Sequence, residues 1–200
     1  MKKLIAPLLL CVLLLCACTQ GAEPPVQTKD VENSRTLVST DTFTVEAMVD
    51  CENVKYRYTV FDLGGKTIES AFCAEMPKVS QVSEALAGIR FTDDGHSWAR
   101  YYDLKNGKAS ESFMNAFWSD GELVAYNAYD NGHIMVVRSI FDESGYRFET
   151  PVESDSWQIF VTAAELSEDG TSLSVEFVDG DGTKPDAKVK TITLPLVPEE

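Results

Sequence analysis

An all-β fold is what this sequence predicts, and three observations predict it. Apolar and polar residues alternate with period two in segment after segment from Thr42 onward. An aromatic residue or Val followed by Asp and a short Gly-containing turn recurs at steps of 41, 39 and 37 residues. Helical periodicity in the body of the chain is weak, its best candidate being residues 79–86, where Val79, Val82 and Leu86 would share one face.

The strands come first. Tyr56, Tyr58 and Val60 alternate with Lys55, Arg57 and Thr59, and Leu173, Val175 and Phe177 alternate with Ser172, Ser174 and Glu176. Successive side chains of a strand point to opposite faces, so these are strands with one face covered and one in water. Ile134, Met135, Val136 and Val137 form an unbroken apolar run beside Gly132, the pattern of a central strand covered on both faces.

The turns give the organisation. The recurring one reads Phe61-Asp62-Leu63-Gly64-Gly65-Lys66, then Tyr102-Asp103-Leu104-Lys105-Asn106-Gly107-Lys108, then Phe141-Asp142-Glu143-Ser144-Gly145-Tyr146, then Val178-Asp179-Gly180-Asp181-Gly182-Thr183. An Asp side chain accepts from the backbone of the turn it begins, and Gly takes positive φ, so each is a hairpin closing a small antiparallel sheet. Asp94-Gly95, Asp120-Gly121 and Asp169-Gly170 mark further turns, each just ahead of another strand. The expected architecture is an antiparallel meander of about four ~39-residue hairpin units, small or incomplete and propeller-like, with a two-sheet β-sandwich as the alternative. If the four units are equivalent, Asp62, Asp103, Asp142 and Asp179 lie at one end of the molecule.

Residues 89–95 (Ile-Arg-Phe-Thr-Asp-Asp-Gly), 101–108 (Tyr-Tyr-Asp-Leu-Lys-Asn-Gly-Lys) and 164–170 (Ala-Glu-Leu-Ser-Glu-Asp-Gly) resemble repeats of the TolB-type β-propeller group. The resemblance implies a propeller-like fold and brings no ligand or partner with it. The chain departs from that group in its small number of units and in the uneven steps, 26 and 49 residues, between its Asp-Gly pairs.

Ahead of the folded region, Lys2 and Lys3 precede an almost unbroken apolar run over residues 4–17, the layout of a secretory leader and too short to span a bilayer. Leu15-Cys16-Ala17-Cys18 places a small residue directly before Cys18 and a Leu three positions before it, and resembles the lipobox of bacterial lipoproteins. That resemblance implies a diacylglycerol on the Cys18 thiol, removal of the leader just ahead of it, and an extracytoplasmic protein tied to the cell membrane by lipid. The expected division is a signal peptide at 1–17, a lipidated Cys and tether at 18–38, and a single all-β domain at 39–200. Pro24-Pro25, mixed charges and the absence of either periodicity mark the tether.

Charge narrows the partners. Removing the leader takes Lys2 and Lys3 and no acid from 17 basic and 32 acidic residues, which leaves a net charge of −17. Such a surface repels phosphate, which argues against nucleic acid and against an electrostatic grip on anionic lipid. Outside the leader and Cys18 the cysteines are Cys51 and Cys73. An oxidising compartment admits a bridge between them, and two separate buried thiols are the other reading.

Few constellations carry chemistry. His96 and His133 are the only histidines, each just after a Gly in a turn signal, and both read as solvated turn residues. No Gly-x-Ser-x-Gly elbow, His-Glu-x-x-His pair or phosphate-cradling Gly loop occurs. The alternate carboxylates from Asp179 to Asp181 suggest a calcium loop, but Lys184 and Lys190 stand where such a loop needs Gly and a bidentate Glu, so no metal site is expected. Aromatics are dense over residues 98–129, and Trp98, Tyr101, Trp118 and Tyr126 are the candidates for stacking on a sugar or peptide, with core packing as the alternative. The expectation is a membrane-tethered, non-catalytic binding or interaction module for a protein or glycan ligand, with no cofactor. An extracytoplasmic hydrolase using an Asp/Glu pair, or an envelope structural or assembly protein, is the alternative.

Overall fold

The structure is a computed structural model that describes residues 34–50, 53–129, 132–154, 156, 159–180 and 187–197. Among them lie four antiparallel sheets and no helix. The first sheet holds β1 (Ser34–Ser39), β2 (Phe43–Asp50), β3 (Asn53–Phe61) and β4 (Thr67–Cys73). The second holds β5 (Lys78–Ser83), β6 (Leu86–Asp93), β7 (His96–Asp103) and β8 (Lys108–Met114). The third holds β9 (Ala116–Ser119), β10 (Leu123–Tyr129), β11 (His133–Ser139) and β12 (Arg147–Val152), and the fourth β13 (Ile159–Leu166), β14 (Ser172–Asp179) and β15 (Lys188–Pro195). Within each sheet the strands pair in sequence order.

Three buried clusters join the sheets in a row. Val45, Tyr58 and Val60 of the first sheet pack with Ala87, Ile89, Tyr102 and Leu104 of the second. Leu86, Ala99, Tyr101 and Phe113, from the opposite face of the second, pack with Ala116, Val124 and Ile140 of the third. Ala125, Met135 and Val137 then meet Leu173, Val175, Phe177 and Leu194 of the fourth. The two middle sheets are therefore covered on both faces and the two end sheets on one. The outward face of the first carries the Arg57–Glu46 ion pair at 2.6 Å and the Thr59–Ser70 hydroxyl pair at 3.0 Å, and that of the fourth carries Thr162 bonded to Glu176 at 2.8 Å. The same outward faces also carry exposed apolar side chains, Phe72 on the first and Phe160 and Val189 on the fourth, so both ends of the row are open to solvent with mixed surfaces. The array is propeller-like and open, and four separate sheets replace the two-sheet sandwich alternative.

One hydrogen bond repeats in every sheet and defines the unit. At the end of the third strand the amides of Phe61, Leu104, Ile140 and Leu196 donate to the carbonyls of Thr42, Ala85, Glu122 and Thr171, at 2.8 to 2.9 Å. Each acceptor is the residue just before the second strand of its sheet. Asp62 and Asp142 fall in the connection from third to fourth strand, and Asp103 is the last residue before it. There Asp62 Oδ1 accepts from Gly64 and Lys66, Asp103 Oδ1 from Lys105 and Asn106, and Asp142 Oδ1 from Ser144. Leu63 donates to the Leu104 carbonyl at 2.9 Å and Lys108 Nζ to the Phe141 carbonyl at 2.6 Å, so these three turns form one face.

Asp179 breaks the expected phase. It ends the second strand of its sheet, opposite Ile159 at the start of β13, and so lies at the strand ends opposite to those of the other three. There it accepts from Ser154 and from Lys190, the latter at 2.6 Å. Asp179 closes the ladder with Lys188 as Asp93 closes that of the second sheet with His96, where the two residues between, Asp94 and Gly95, both take positive φ, 47° and 75°. The 37-residue step to Asp179 is a coincidence of turn chemistry.

Two local expectations are also corrected. Residues 79–83 form a strand, not a helix: Val79 pairs with Ile89 and Ser80 with Gly88, and the turn at 84–85 separates Val82 from Leu86. β-branched Val and short Ser suit a pleated strand, and the three-residue spacing mimicked a helix face. Residues 34–38, assigned to the tether, form most of β1, which pairs with β2 from Ser34↔Met48 to Ser39↔Thr44. β1 is an edge strand exposed along most of its length, so its sequence carries no alternation.

Candidate functional site

The seam between the second and third sheets holds two neighbouring clefts. Leu86, Gly88 and Arg90 alternate along β6 and all face the third sheet, since Leu86 packs in the shared cluster and Arg90 Nη1 donates to the Ala116 carbonyl at 2.8 Å. Gly88 contributes no side chain between them and lines a cleft of about 290 Å³. Ser80 and Val82 of β5, Tyr101 of β7, and Phe117 and Ser119 of β9 complete its walls. A Cβ on Gly88 would stand 3.3 Å from Ser80 Oγ and 3.4 Å from the Tyr101 ring, so a side chain here would press on both.

Tyr101 is the floor. Its amide donates to Ser110 Oγ at 3.0 Å, which fixes the backbone beneath the ring. Burial pushes its phenol pKa up, against the smaller lowering effects of the Ser119 hydrogen bond and the Arg90 charge. The hydroxyl is thus neutral across the physiological range. Arg90 brings a guanidinium with five donors, one of them committed to Ala116.

A second cleft, about 390 Å³, opens beside the first at the face bearing the Asp turns. Asp103, Lys105, Asp120, Glu122 and Phe141 line it, and Val82 lines both clefts. Asp120 Oδ1 accepts from the amides of Glu122 and Leu123, so this carboxylate caps its turn. Burial of Asp103 raises its pKa, and bonds from the Asn106 side chain and from the Asn106 and Lys105 amides outweigh that and hold the carboxyl below its ordinary range.

The four candidate aromatics separate. Tyr101 and Trp118 both line the first cleft. Trp118 lies opposite Ala125 in the ladder and packs against the cluster between the third and fourth sheets as well. Tyr126 belongs to the core, its ring centroid 5.4 Å from that of Phe113. Trp98 is half-buried on β7, opposite Phe91, away from both clefts. Arg90, Gly88, Ser80 and Ser119 are site residues that sequence reasoning missed, and the available signal was an isolated Gly inside the apolar run Leu86-Ala87-Gly88-Ile89.

Charged and polar side chains hold the seams on either side. Arg100 Nη1 of the second sheet meets Glu69 Oε1 of the first at 2.9 Å, and Tyr102 donates its hydroxyl to that of Tyr58 at 3.3 Å. Arg138 of the third sheet pairs with Glu111 of the second and lies 6.0 Å from the Phe113 ring centroid. Tyr146 donates to the Pro195 carbonyl at 2.8 Å between third and fourth sheets.

The histidines differ from each other. His96 is exposed at its hairpin, whereas His133, expected in solvent, is 5% exposed. Its Nδ1 stands 3.3 Å from Asn127 Nδ2 and its Nε2 3.2 Å from the Ser156 carbonyl, because the connection after β12 folds over the start of β11. Cys73 is a buried thiol in the core between first and second sheets, with Sγ 3.8 Å from the Tyr56 carbonyl. Cys18, the signal peptide and Cys51 lie outside the described residues, as do Asp181 and Lys184 of the calcium-like stretch. Among the described residues no group of three or more His, Cys, Asp or Glu side chains is placed to hold a metal ion.

No family model and no curated protein matches the chain. Among solved structures it is similar to the β-propeller domain of the Trilobed protease from Pyrococcus furiosus, whose topology is described as open velcro, at 10% identity and a TM-score of 0.37. That likeness covers 82% of this chain and 57% of the other, so the chain spans little more than half of its length.

Proposed function

We propose that the protein is an extracytoplasmic lipoprotein, anchored through Cys18, whose four-sheet body is a non-catalytic binding module using the clefts between the second and third sheets. The observation that carries the binding reading is the cleft lined by Gly88, floored by the Tyr101 ring and edged by the Arg90 guanidinium. Apolar walls with a few convergent polar groups are the usual composition of a small-ligand site. The lipobox-like Leu15-Cys16-Ala17-Cys18 supports the anchor. Two acyl chains, at ~0.8 kcal/mol for each buried methylene, hold a protein at a membrane where one chain is marginal.

Two experiments test the reading. Replacing Cys18 by Ala releases the protein from the membrane fraction, and a variant that stays bound after a carbonate wash sinks the anchor. Full-length protein and its Gly88→Val variant are titrated with a panel of oligosaccharides and short peptides. Binding that is present in the native chain and lost in the variant supports the site. Turnover of a glycan, ester or peptide substrate that survives stringent purification would move the assignment to the hydrolase alternative, with the carboxylates of the second cleft as its first suspects.

A further inference from the structure

We infer that the two clefts form one groove that takes an extended peptide bearing an acidic side chain, an apolar side chain two residues on and a basic side chain two residues beyond that. This rests on the binding-module reading above and narrows it to one ligand chemistry. Val82 lines both clefts and is 41% exposed, so an apolar step joins them.

The two ends of the groove carry opposite charge. At one end stands Arg90, with Lys78 opposite it in the ladder, in a chain whose formal net charge is −15. A cationic spot on such a surface is where an anionic group is drawn. At the other end Asp103, Asp120 and Glu122 outnumber Lys105, and Asp103 is held ionised by its turn. A groove with this polarity favours a ligand with the complementary one and disfavours a uniformly acidic chain.

Spacing sets the length. Arg90 lies four residues along β6 from Leu86, about 13 Å at the rise of a strand. Leu86 in turn lies against the Asp120-Gly121 turn, its Cδ2 3.3 Å from where a Gly121 Cβ would be. An extended peptide covers that distance in four steps, and its first, third and fifth side chains share one face. The acid then meets Arg90, the apolar side chain two residues on stands over Gly88 and the Tyr101 ring, and the base meets the carboxylate end beside Val82. β5 forms the wall beside the groove and is the edge strand of its sheet, with a strand paired on one side only. An edge of this kind accepts an extended segment through main-chain bonds.

The test uses the full-length protein purified in detergent and acetylated, amidated pentapeptides with glutamate first, valine third, lysine fifth and serine between, in both charge orders. Isothermal titration is expected to show binding of at least one order. Arg90→Gln should weaken it about three- to five-fold only for peptides that carry glutamate, and Glu122→Gln only for those that carry lysine, the size of a part-exposed ion pair. Glu122 is exposed, so its variant folds even if Arg90→Gln is destabilised, and urea midpoints check both. Glutamine-and-norleucine peptides that bind as well as the charged ones, or an Arg90→Gln loss that ignores peptide charge, would overturn the inference. If no pentapeptide binds but an oligosaccharide does and is lost in Gly88→Val, the peptide groove is refuted while the binding module stands. If neither class binds, both fall.

Discussion

Gly88 lies directly opposite Tyr101 in the ladder between β6 and β7, and the Tyr101 ring occupies the space that a side chain on Gly88 would need. The pair makes an opening where two covered sheets meet. Gly88→Val should therefore push on Ser80 and the Tyr101 ring and lower stability by about 1 to 3 kcal/mol, the usual cost of overfilling a packed site. A urea unfolding curve measures it, and a midpoint equal to that of the native chain would mean that the cleft is loose enough to absorb an isopropyl group.

The Arg138–Glu111 pair joins the second and third sheets unevenly, the Arg side chain being 8% exposed and the Glu 46%. Removing the partner of a buried charge costs more than replacing that charge by an apolar chain of similar size. Glu111→Ala is expected to lower stability by about 1 kcal/mol, a figure reduced because the Glu stands half in water. Arg138→Met, which keeps the contact with Phe113, should cost less. The reverse order in chemical denaturation would show that the guanidinium acts mainly through packing.

Acid should weaken the turns. Bonds from the Ser167 hydroxyl and from the Thr171 amide and hydroxyl hold the Asp169 carboxyl at about 2, and the Ser144 hydroxyl and amide lower Asp142 in the same way. A carboxylate with a depressed folded pKa contributes stability above its unfolded pKa of about 4, and that share is lost as the pH falls through the folded value. Stability should fall between about pH 4 and pH 2. Asp169→Asn should flatten part of this limb in urea curves taken across that range, while an unchanged slope would remove Asp169 from the account.

Burial raises the pKa of the Cys73 thiol, so little thiolate is present at neutral pH. Iodoacetamide should leave Cys73 unmodified in the native protein and alkylate it in urea, as read by peptide mass spectrometry. Rapid labelling of the native protein would mean that the edge of the first sheet opens. Failure to label in urea until reductant is added would point to a bridge.

How much of this was legible in the sequence depended on where each strand sits in the row. Alternation through Tyr56, Tyr58 and Val60, and through Leu173, Val175 and Phe177, marked strands of the two end sheets, which have a single covered face. The unbroken run at Met135, Val136 and Val137 marked a strand of a middle sheet, buried on both sides. What hid from view were features set by tertiary neighbours. β1 and β5 are exposed edges with no apolar pattern to read, and β5 imitated a helix through Val79 and Val82. His133 sits at a turn, as its neighbours implied, yet a later connection covers it. The Asp turns spoke for local chemistry alone, which is why Asp179 could match its three predecessors in residue pattern and lie at the opposite end.

Because both end sheets leave their outward faces in solvent, no ring has to close, and the geometry places no demand on the number of units. In a closed ring, adding or losing a sheet changes the angle at every junction. Here each junction is a private agreement between two neighbours, and its packing is indifferent to the length of the row. A duplicated middle unit, bearing one face like that of Ala87 and Ile89 and the other like that of Leu86 and Ala99, would lengthen the molecule and create another seam of the same make. The binding surface is in that sense modular: new sites arise by lengthening the row, with the existing ones left as they are.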